Sequence, residues 1–451
     1  VNREGCKEAL RSVSMLKDPV PTLFIQDEMH LVKESLGTFD AHYESFANYY
    51  AKNLVPEEQR KQIRFIGATA TISMYQQHIN HLYHMTGRRF PCEYPSMKNG
   101  EDFYSYTNMN DVTRILLGYA PYGRSITDGM WESVYLMRTI LYSLIDDTDG
   151  TFENLKKLGF DDSKEKLSDM LYDYWIELVY NNRKDDVGDL ANALQNQGNN
   201  HLEEKGIPKF NIEQMTSDVD FQTVRKTLFD IQSNRGELES TNILLATSTI
   251  SHGVDEDSFN IMYFFGMPNN NAEYIQAYSR TGRKYTGIVI DIIRLMRQRD
   301  RSYLKNFVVF HQNKDDLVEA VPINRWAKNA IYSTLPGLLA ALLMQHYTVD
   351  NGLDAMYWAV DLKKMLNEGR IDEDEVIHHM IGVYACNERE KLSLAYKEVI
   401  TEEVHNVLNG IANGNFQKDV FLSDAISKYT HGKKRPMISL RDTEEQIEIK
   451  I

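Results

Sequence analysis

The hydrophobic positions fall into two regions of short apolar runs separated by amphipathic stretches, then a third region of helical periodicity. In the first region, Thr22-Leu23-Phe24-Ile25 lies between Pro21 and the acids Asp27-Glu28, which predicts a short buried strand that stops on two carboxylates. Arg64-Phe65-Ile66-Gly67 reads the same way and runs into ATATIS, and residues 73–87 predict a helix ending at Gly87. From 96 to 170 the pattern changes to a Tyr- and Asn-rich piece, a helix over 128–145 and an acidic segment, LIDDTDGTFENLKKLGFDDSKEK, which together predict a connector.

Strand-like runs then return: WIELVY (175–180), NIEQMT (211–216), NILLAT (242–247), IMYFFG (261–266), GIVID (287–291) and FVVF (307–310). Helical stretches such as 221–236 and 272–281 separate most of them. This alternation predicts a parallel sheet covered by helices, with active residues just past the carboxyl ends of strands. Beyond 311, residues 325–345, 353–368, 373–396 and 398–413 carry helical periodicity, and KYTHGKKRPMISLRDTEEQIEIKI predicts a basic loop followed by a short strand. No internal repeat is present.

Composition adds little to the fold and more to the function. The 451 residues are 42% hydrophobic and 25% charged, which is ordinary for a globular chain of two or three domains. The run LPGLLAALLM (335–344) is too short to span a bilayer, no signal peptide opens the chain, and three cysteines lie far apart, so the expected setting is cytoplasmic. A net charge of −15 argues against coating nucleic acid through overall charge, though a local basic groove fits on an acidic body.

The candidate chemistry sits at the strand ends. DEMH, residues 27–30, is either an acidic turn or the magnesium and water-activating box of a nucleotide-driven motor. If it is a motor, later groups must sense a phosphate and grip a track. ATSTISHGVD (246–255) is a strand entering a Thr/Ser-rich loop. In AEYIQAYSRTGR (272–283), Gln276 is followed at +4 and +7 by Arg280 and Arg283, a spacing that predicts one helical face. Two guanidiniums presented together suit a phosphate.

DEMH, TAT (69–71), ATSTISHGVD and QAYSRTGR, in this order, resemble the consecutive motifs of a superfamily 2 helicase of the DExH type. QDEMHLVKESLGTFDAHYE, AEYIQAYSRTGR, RQRDRSYLKNFVVFH and the terminal ISLRDTE resemble more closely the large helicase subunit of DISARM-type antiphage defence systems. The resemblance covers roughly residues 20–312. It implies an α/β fold of two RecA-like parallel-sheet lobes, the first one truncated, followed by a helical C-terminal region. The expected domains are 1–95, the end of lobe 1; 96–170, a connector; 171–312, lobe 2; and 313–451, a helical accessory region.

The resemblance also implies roles. Asp27 would hold Mg²⁺ through water, Glu28 would deprotonate the attacking water, and His30 and Gln26 would link that site to the neighbouring domain. Thr69 and Thr71 would couple hydrolysis to movement. Thr247, Ser248 and Ser251 would meet the nucleic-acid backbone, and Asn181, Asn182 and Arg183 occupy the place of another track-facing motif. Gly253 and Asp255 would approach the nucleotide, and Gln276, Arg280 and Arg283 would complete the site, one arginine acting as a finger. The cofactors implied are ATP and Mg²⁺, and the partners are DNA, gripped by its backbone, and other defence-system subunits.

Two departures stand out. Ser279 replaces the usual glycine before Arg280, and no G-x-x-x-x-G-K-[ST] phosphate loop occurs anywhere in the chain. Only 26 residues precede Asp27, so the chain is expected to be cut within the first motor domain and to hydrolyse ATP hardly at all by itself. A non-catalytic nucleic-acid-binding or assembly module that keeps the motor shape is the rival reading; a nuclease-associated subunit has no nuclease residues to support it. His78, His81 and His84 read as an ordinary polar helix rather than a metal site. RLMRQRDRSYLK (294–305) reads either as a track-binding patch or as a surface helix, and HGKKRP (431–436) as a basic loop.

Overall fold

Parallel strands need crossover connections that cover the sheet, and the alternation of the second region supplies them. The structure, a computed structural model, describes residues 20–69, 72–90, 108, 110–216, 219, 221–247, 259–350, 356–385 and 391–437. The chain forms two units, one from 1–96 with 320–451 and the other from 97–319. The first is therefore discontinuous in sequence.

In the first unit, β1 (Leu23–Gln26) pairs in parallel with β2 (Arg64–Gly67), in register from Leu23 with Arg64 to Gln26 with Gly67. Helices α1 (Glu34–Tyr49) and α2 (Tyr75–Tyr83) accompany them. The expectation of a buried first strand is corrected: Ile25 is 71% exposed and Ile66 54%, because the described residues cover only one face of this strand pair. Helices of the tail complete the unit, and they belong to it rather than forming a separate region. His42 of α1 is buried, with Nδ1 2.9 Å from the Thr334 hydroxyl and Nε2 2.7 Å from the Arg325 carbonyl. Burial holds its imidazole down at about 3, so it stays neutral.

The second unit holds six parallel strands: β3 (Arg114–Tyr119), β4 (Glu177–Asn181), β5 (Ile212–Met215), β6 (Ile243–Ala246), β7 (Ile261–Phe265) and β8 (Gly287–Ile292), in the order β3-β8-β7-β4-β6-β5. The α/β fold read from the sequence is thus present, and every pairing in this sheet is parallel. The central strands β4, β6 and β7 are buried on both faces. Leu178, Tyr180, Leu244, Met262 and Phe264 belong to one core, and Val179, Leu245, Tyr263 and Phe265 to another. Two-sided burial explains why these strands appear as continuous apolar runs.

Two expectations are corrected here. The stretch read as a connector instead carries β3, which joins the sheet beside β8, and three helices, α3 (Ile126–Asp146), α4 (Thr148–Lys157) and α5 (Lys164–Trp175). FVVF is not a strand but the start of a helix, Phe307–Gln312, in which Phe310 is buried while Val308 and Val309 are exposed. A four-residue apolar run fits either element, since periodicity cannot separate them at that length.

A buried ion pair ties α3 to the sheet. Arg138 and Glu177 are both fully buried; Arg138 Nε donates to Glu177 Oε1 at 3.0 Å, its Nη2 donates to the Asn242 carbonyl at 3.0 Å, and the Tyr263 hydroxyl donates to Glu177 Oε2 at 2.9 Å. Removing one partner strands the other charge. Arg138→Met is expected to cost about 3–5 kcal/mol of stability in urea unfolding, whereas Arg138→Met with Glu177→Leu recovers much of it. Equal losses in the single and double variants would contradict this.

Candidate functional site

In the first unit the acidic box is a turn wedged against the end of β2. The Met29 N–H donates to the Ala68 carbonyl at 2.9 Å, and the Ala68 N–H donates to the Gln26 carbonyl at 2.9 Å. Gly67 permits this approach: a Cβ there would lie 2.5 Å from Met29 Sδ. Glu28 adopts a left-handed conformation, φ 49°, and its N–H donates to Asp27 Oδ1 at 2.8 Å. Both acids remain exposed. A non-glycine residue in this conformation costs energy that surrounding contacts must hold, and such positions cluster at functional sites.

His30 joins the box to the threonine motif. It is buried, with Nδ1 3.0 Å from the Thr69 hydroxyl and 3.4 Å from Glu28 Oε2. The structure thus brings Glu28, His30 and Thr69 together within the first unit. Asp27 Oδ1 is engaged by the backbone while its carboxylate faces solvent, and a hard oxygen donor of this kind fits a hydrated Mg²⁺. Thr71 lies outside the described residues. Of the three histidines on or next to α2, His78 is buried rather than solvated, and burial lowers its imidazole to about 4. No metal-ligand grouping includes that run among the described residues.

In the second unit the strand order changes direction around β4, between β6 and β7. The crevice beyond the carboxyl ends at such a point is where open α/β sheets bind ligands. Thr247 follows the end of β6 there, buried, its N–H donating to the Met215 carbonyl at 3.1 Å. Asn181 is buried and donates to the Val179 carbonyl at 3.1 Å, while Asn182 donates to the Gly266 and Met267 carbonyls at 3.1 and 3.2 Å. Both asparagines thus shape the crevice edge, leaving Arg183, which precedes the helix Lys184–Ala193, exposed. Ser248, Ser251, Gly253 and Asp255 lie outside the described residues.

The arginine box departs from the expected helical face. Gln276 lies buried on the helix Asn271–Tyr278, but Arg280 and Arg283 follow its end. The Arg280 and Thr281 N–H groups bond to the Ala277 and Tyr278 carbonyls, tightening the last turn, and Gly282 leaves it at φ 75°. A Cβ at Gly282 would lie 2.6 Å from the Thr113 carbonyl oxygen and the Gly287 nitrogen, so the turn can run close against β8. Arg114 of β3, missed in the sequence, donates to the Thr281 carbonyl at 2.6 Å and the Ser279 carbonyl at 2.8 Å, clamping the turn. No local sequence signal marks Arg114, since its role depends on β3 reaching β8.

The helix carrying Gln276 is held by a buried polar chain. Tyr274 Oη donates to Asp291 Oδ2 at 2.8 Å and lies 2.8 Å from His311 Nε2. Burial pushes the fully buried Asp291 carboxyl up to about 7. A carboxyl that holds its proton more tightly when folded favours the fold below its unfolded pKa, and that advantage fades as pH rises from about 4 to about 7. Asp291→Asn is therefore expected to raise the melting temperature relative to the parent more at pH 8 than at pH 5. An equal shift at both pH values would refute the assignment.

The basic run 294–305 is divided in use. Arg294 pairs with Asp186 at 2.5 Å, and Arg299 donates to the Met267 and Pro268 carbonyls at 2.7 Å each, whereas Arg301 and Lys305 face solvent.

Residues 176–285 match the helicase conserved C-terminal domain. The chain is 28% identical to the DISARM protein DrmA of Bacillus paralicheniformis over 72% of its own length, and it spans 28% of that protein. Among solved structures it is similar to the DUF1998 helicase MrfA bound to DNA and AMPPNP, at 14% identity over 78% of this chain and 40% of that one, with a TM-score of 0.47. It is also similar to Saccharomyces cerevisiae Dbp5 bound to RNA and ADP BeF3, at 12% identity over 71% of this chain and 63% of that one, with a TM-score of 0.38. No helix among the described residues is long and apolar enough to cross a membrane.

Proposed function

We propose that this chain, whose residues 176–285 match the helicase conserved C-terminal domain and which is similar to the DISARM protein DrmA, is part of a superfamily 2 helicase, an ATP-driven motor moving on DNA in defence against phage. The observation that carries the reading is the Glu28–His30–Thr69 linkage: a base, an orienting imidazole and the threonine motif held together past the ends of two paired strands. In this reading Glu28 accepts the proton of the attacking water, and His30 keeps its carboxylate aimed and passes its position to Thr69. Asp27 would hold Mg²⁺ through water, and the ion would supply screening of the phosphate charge there. Gln276, Arg280 and Arg283 serve the same hydrolysis, with one guanidinium stabilising the transferring phosphoryl group. Gly253 and Asp255 approach the nucleotide. Thr71, Thr247, Ser248, Ser251 and Arg183 serve coupling or backbone contact, so binding carries little sequence preference.

A second reading is a non-catalytic module that keeps the helicase fold and binds nucleic acid or assembles with partners. The two separate on ATP-dependent displacement of streptavidin from biotinylated single-stranded DNA. The assay uses a polypeptide extended at its amino end to include a phosphate-binding loop. Displacement that needs ATP supports the motor; DNA binding without displacement supports the module.

A further inference from the structure

The helical part of the first unit contains a cluster that the motor does not use. His346, Glu375 and His379 each offer one ligand atom, and the three atoms all lie within 4.8 Å of one another. Glu375 and His379 are one turn apart on the helix Glu373–Val383, with His379 Nε2 3.7 Å from Glu375 Oε1. His346 comes from a π-helical segment, Leu343–Asp350, that follows the helix Lys328–Leu342. The extra residue per turn in a π-segment re-aims the side chains it carries, and such segments recur at functional sites.

The surroundings prepare His379 as a ligand. Its Nδ1 lies 3.1 Å from the Tyr49 hydroxyl, which can accept the ring N–H. With the ring N–H on Nδ1, the Nε2 lone pair faces the cluster, and Nε2 is buried without a hydrogen bond. Gly382 lets Tyr49 sit there: a Cβ at 382 would lie 2.2 Å from the tyrosine ring. His346 is itself buried and His379 half-buried, so two imidazoles meet the carboxylate of Glu375 where it reaches the surface.

We propose that His346, Glu375 and His379 form a binding site for a divalent transition-metal ion, Zn²⁺ by ligand type. Two imidazole nitrogens and a carboxylate oxygen suit zinc and leave a fourth position for water. Tetrahedral zinc places its ligands about 3.4 Å apart, so the side chains close in slightly on binding. The ion pins the π-segment to the helix Glu373–Val383, and the Tyr49 hydroxyl positions His379 from behind. The site is independent of the proposed motor chemistry.

The test is titration of the chelator-treated 451-residue chain with Zn²⁺, followed by calorimetry, and with Co²⁺, followed by its visible ligand-field absorption. The expected result is one zinc equivalent that His346→Ala, Glu375→Gln and His379→Gln each lose, a Co²⁺ spectrum that each of them abolishes, and full retention in His378→Ala, which alters the exposed neighbour. Tyr49→Phe is expected to weaken binding by about 10–100-fold. Zinc should also raise the melting temperature of the parent and not of the three ligand variants, which reads the site in any variant that folds. No stoichiometric binding by the folded parent, or binding that survives all three substitutions, would overturn the proposal.

Discussion

Glu28→Gln is expected to lower DNA-stimulated Mg-ATP turnover by about 10²–10⁴-fold in a polypeptide that also carries a phosphate-binding loop. The carboxylate sits at the tip of a left-handed turn, exposed, with His30 Nδ1 3.4 Å from Oε2. Glutamine is nearly isosteric and keeps an oxygen for His30, but it cannot take a proton from water. Binding of nucleotide and of DNA should therefore survive while turnover falls. A variant that loses nucleotide binding together with turnover would point instead to a collapsed turn.

Substitution in the arginine box should have a comparable or larger effect. A guanidinium acting on the transferring phosphoryl group is worth about 10³–10⁵ in turnover, so Arg280→Ala or Arg283→Ala should reach that range, whichever supplies the finger. Lysine should not restore it, because a point charge lacks the planar fork that spans two phosphate oxygens. The structure sharpens the comparison, since both arginines lie beyond the helix end on a turn clamped by Arg114 and shaped by Gly282. If neither alanine variant lowers turnover by even about tenfold, the arginine role is wrong.

The parts of the fold legible in the sequence are those in which burial is local. Strands β4, β6 and β7 are covered on both faces, so their apolar runs stand out in any reading. β3 does not: it lies at the sheet edge, Ile115 and Leu117 are exposed, and its flanks are polar, so it vanished into a supposed connector. The discontinuity of the first unit was equally invisible, because His42 with Thr334 and Arg325 with Ser45 are contacts between distant stretches that leave no periodic trace. FVVF misled because four apolar residues fit a helix turn as well as a strand.

The candidate site divides in the same way. Motif order marks DEMH, the threonines and the arginine box in the sequence, whereas the geometry within them depends on backbone turns and on strand pairing. The helix ends at Tyr278, and Gly282, left-handed beyond the tightened turn that follows, carries Arg283 off the helical face; a glycine at this place is the one local sign of that turn. The His30–Thr69 contact spans two strand ends, and only the parallel pairing of β1 with β2 reveals it. His346 and Glu375–His379 were hidden because a π-segment breaks the period on which helical faces are read.

The most direct measurement is steady-state Mg-ATP hydrolysis by the extended polypeptide, with and without single-stranded DNA. The account predicts turnover that DNA stimulates and that vanishes in Glu28→Gln. Turnover absent from a well-folded protein, or present and unchanged in Glu28→Gln, would contradict it.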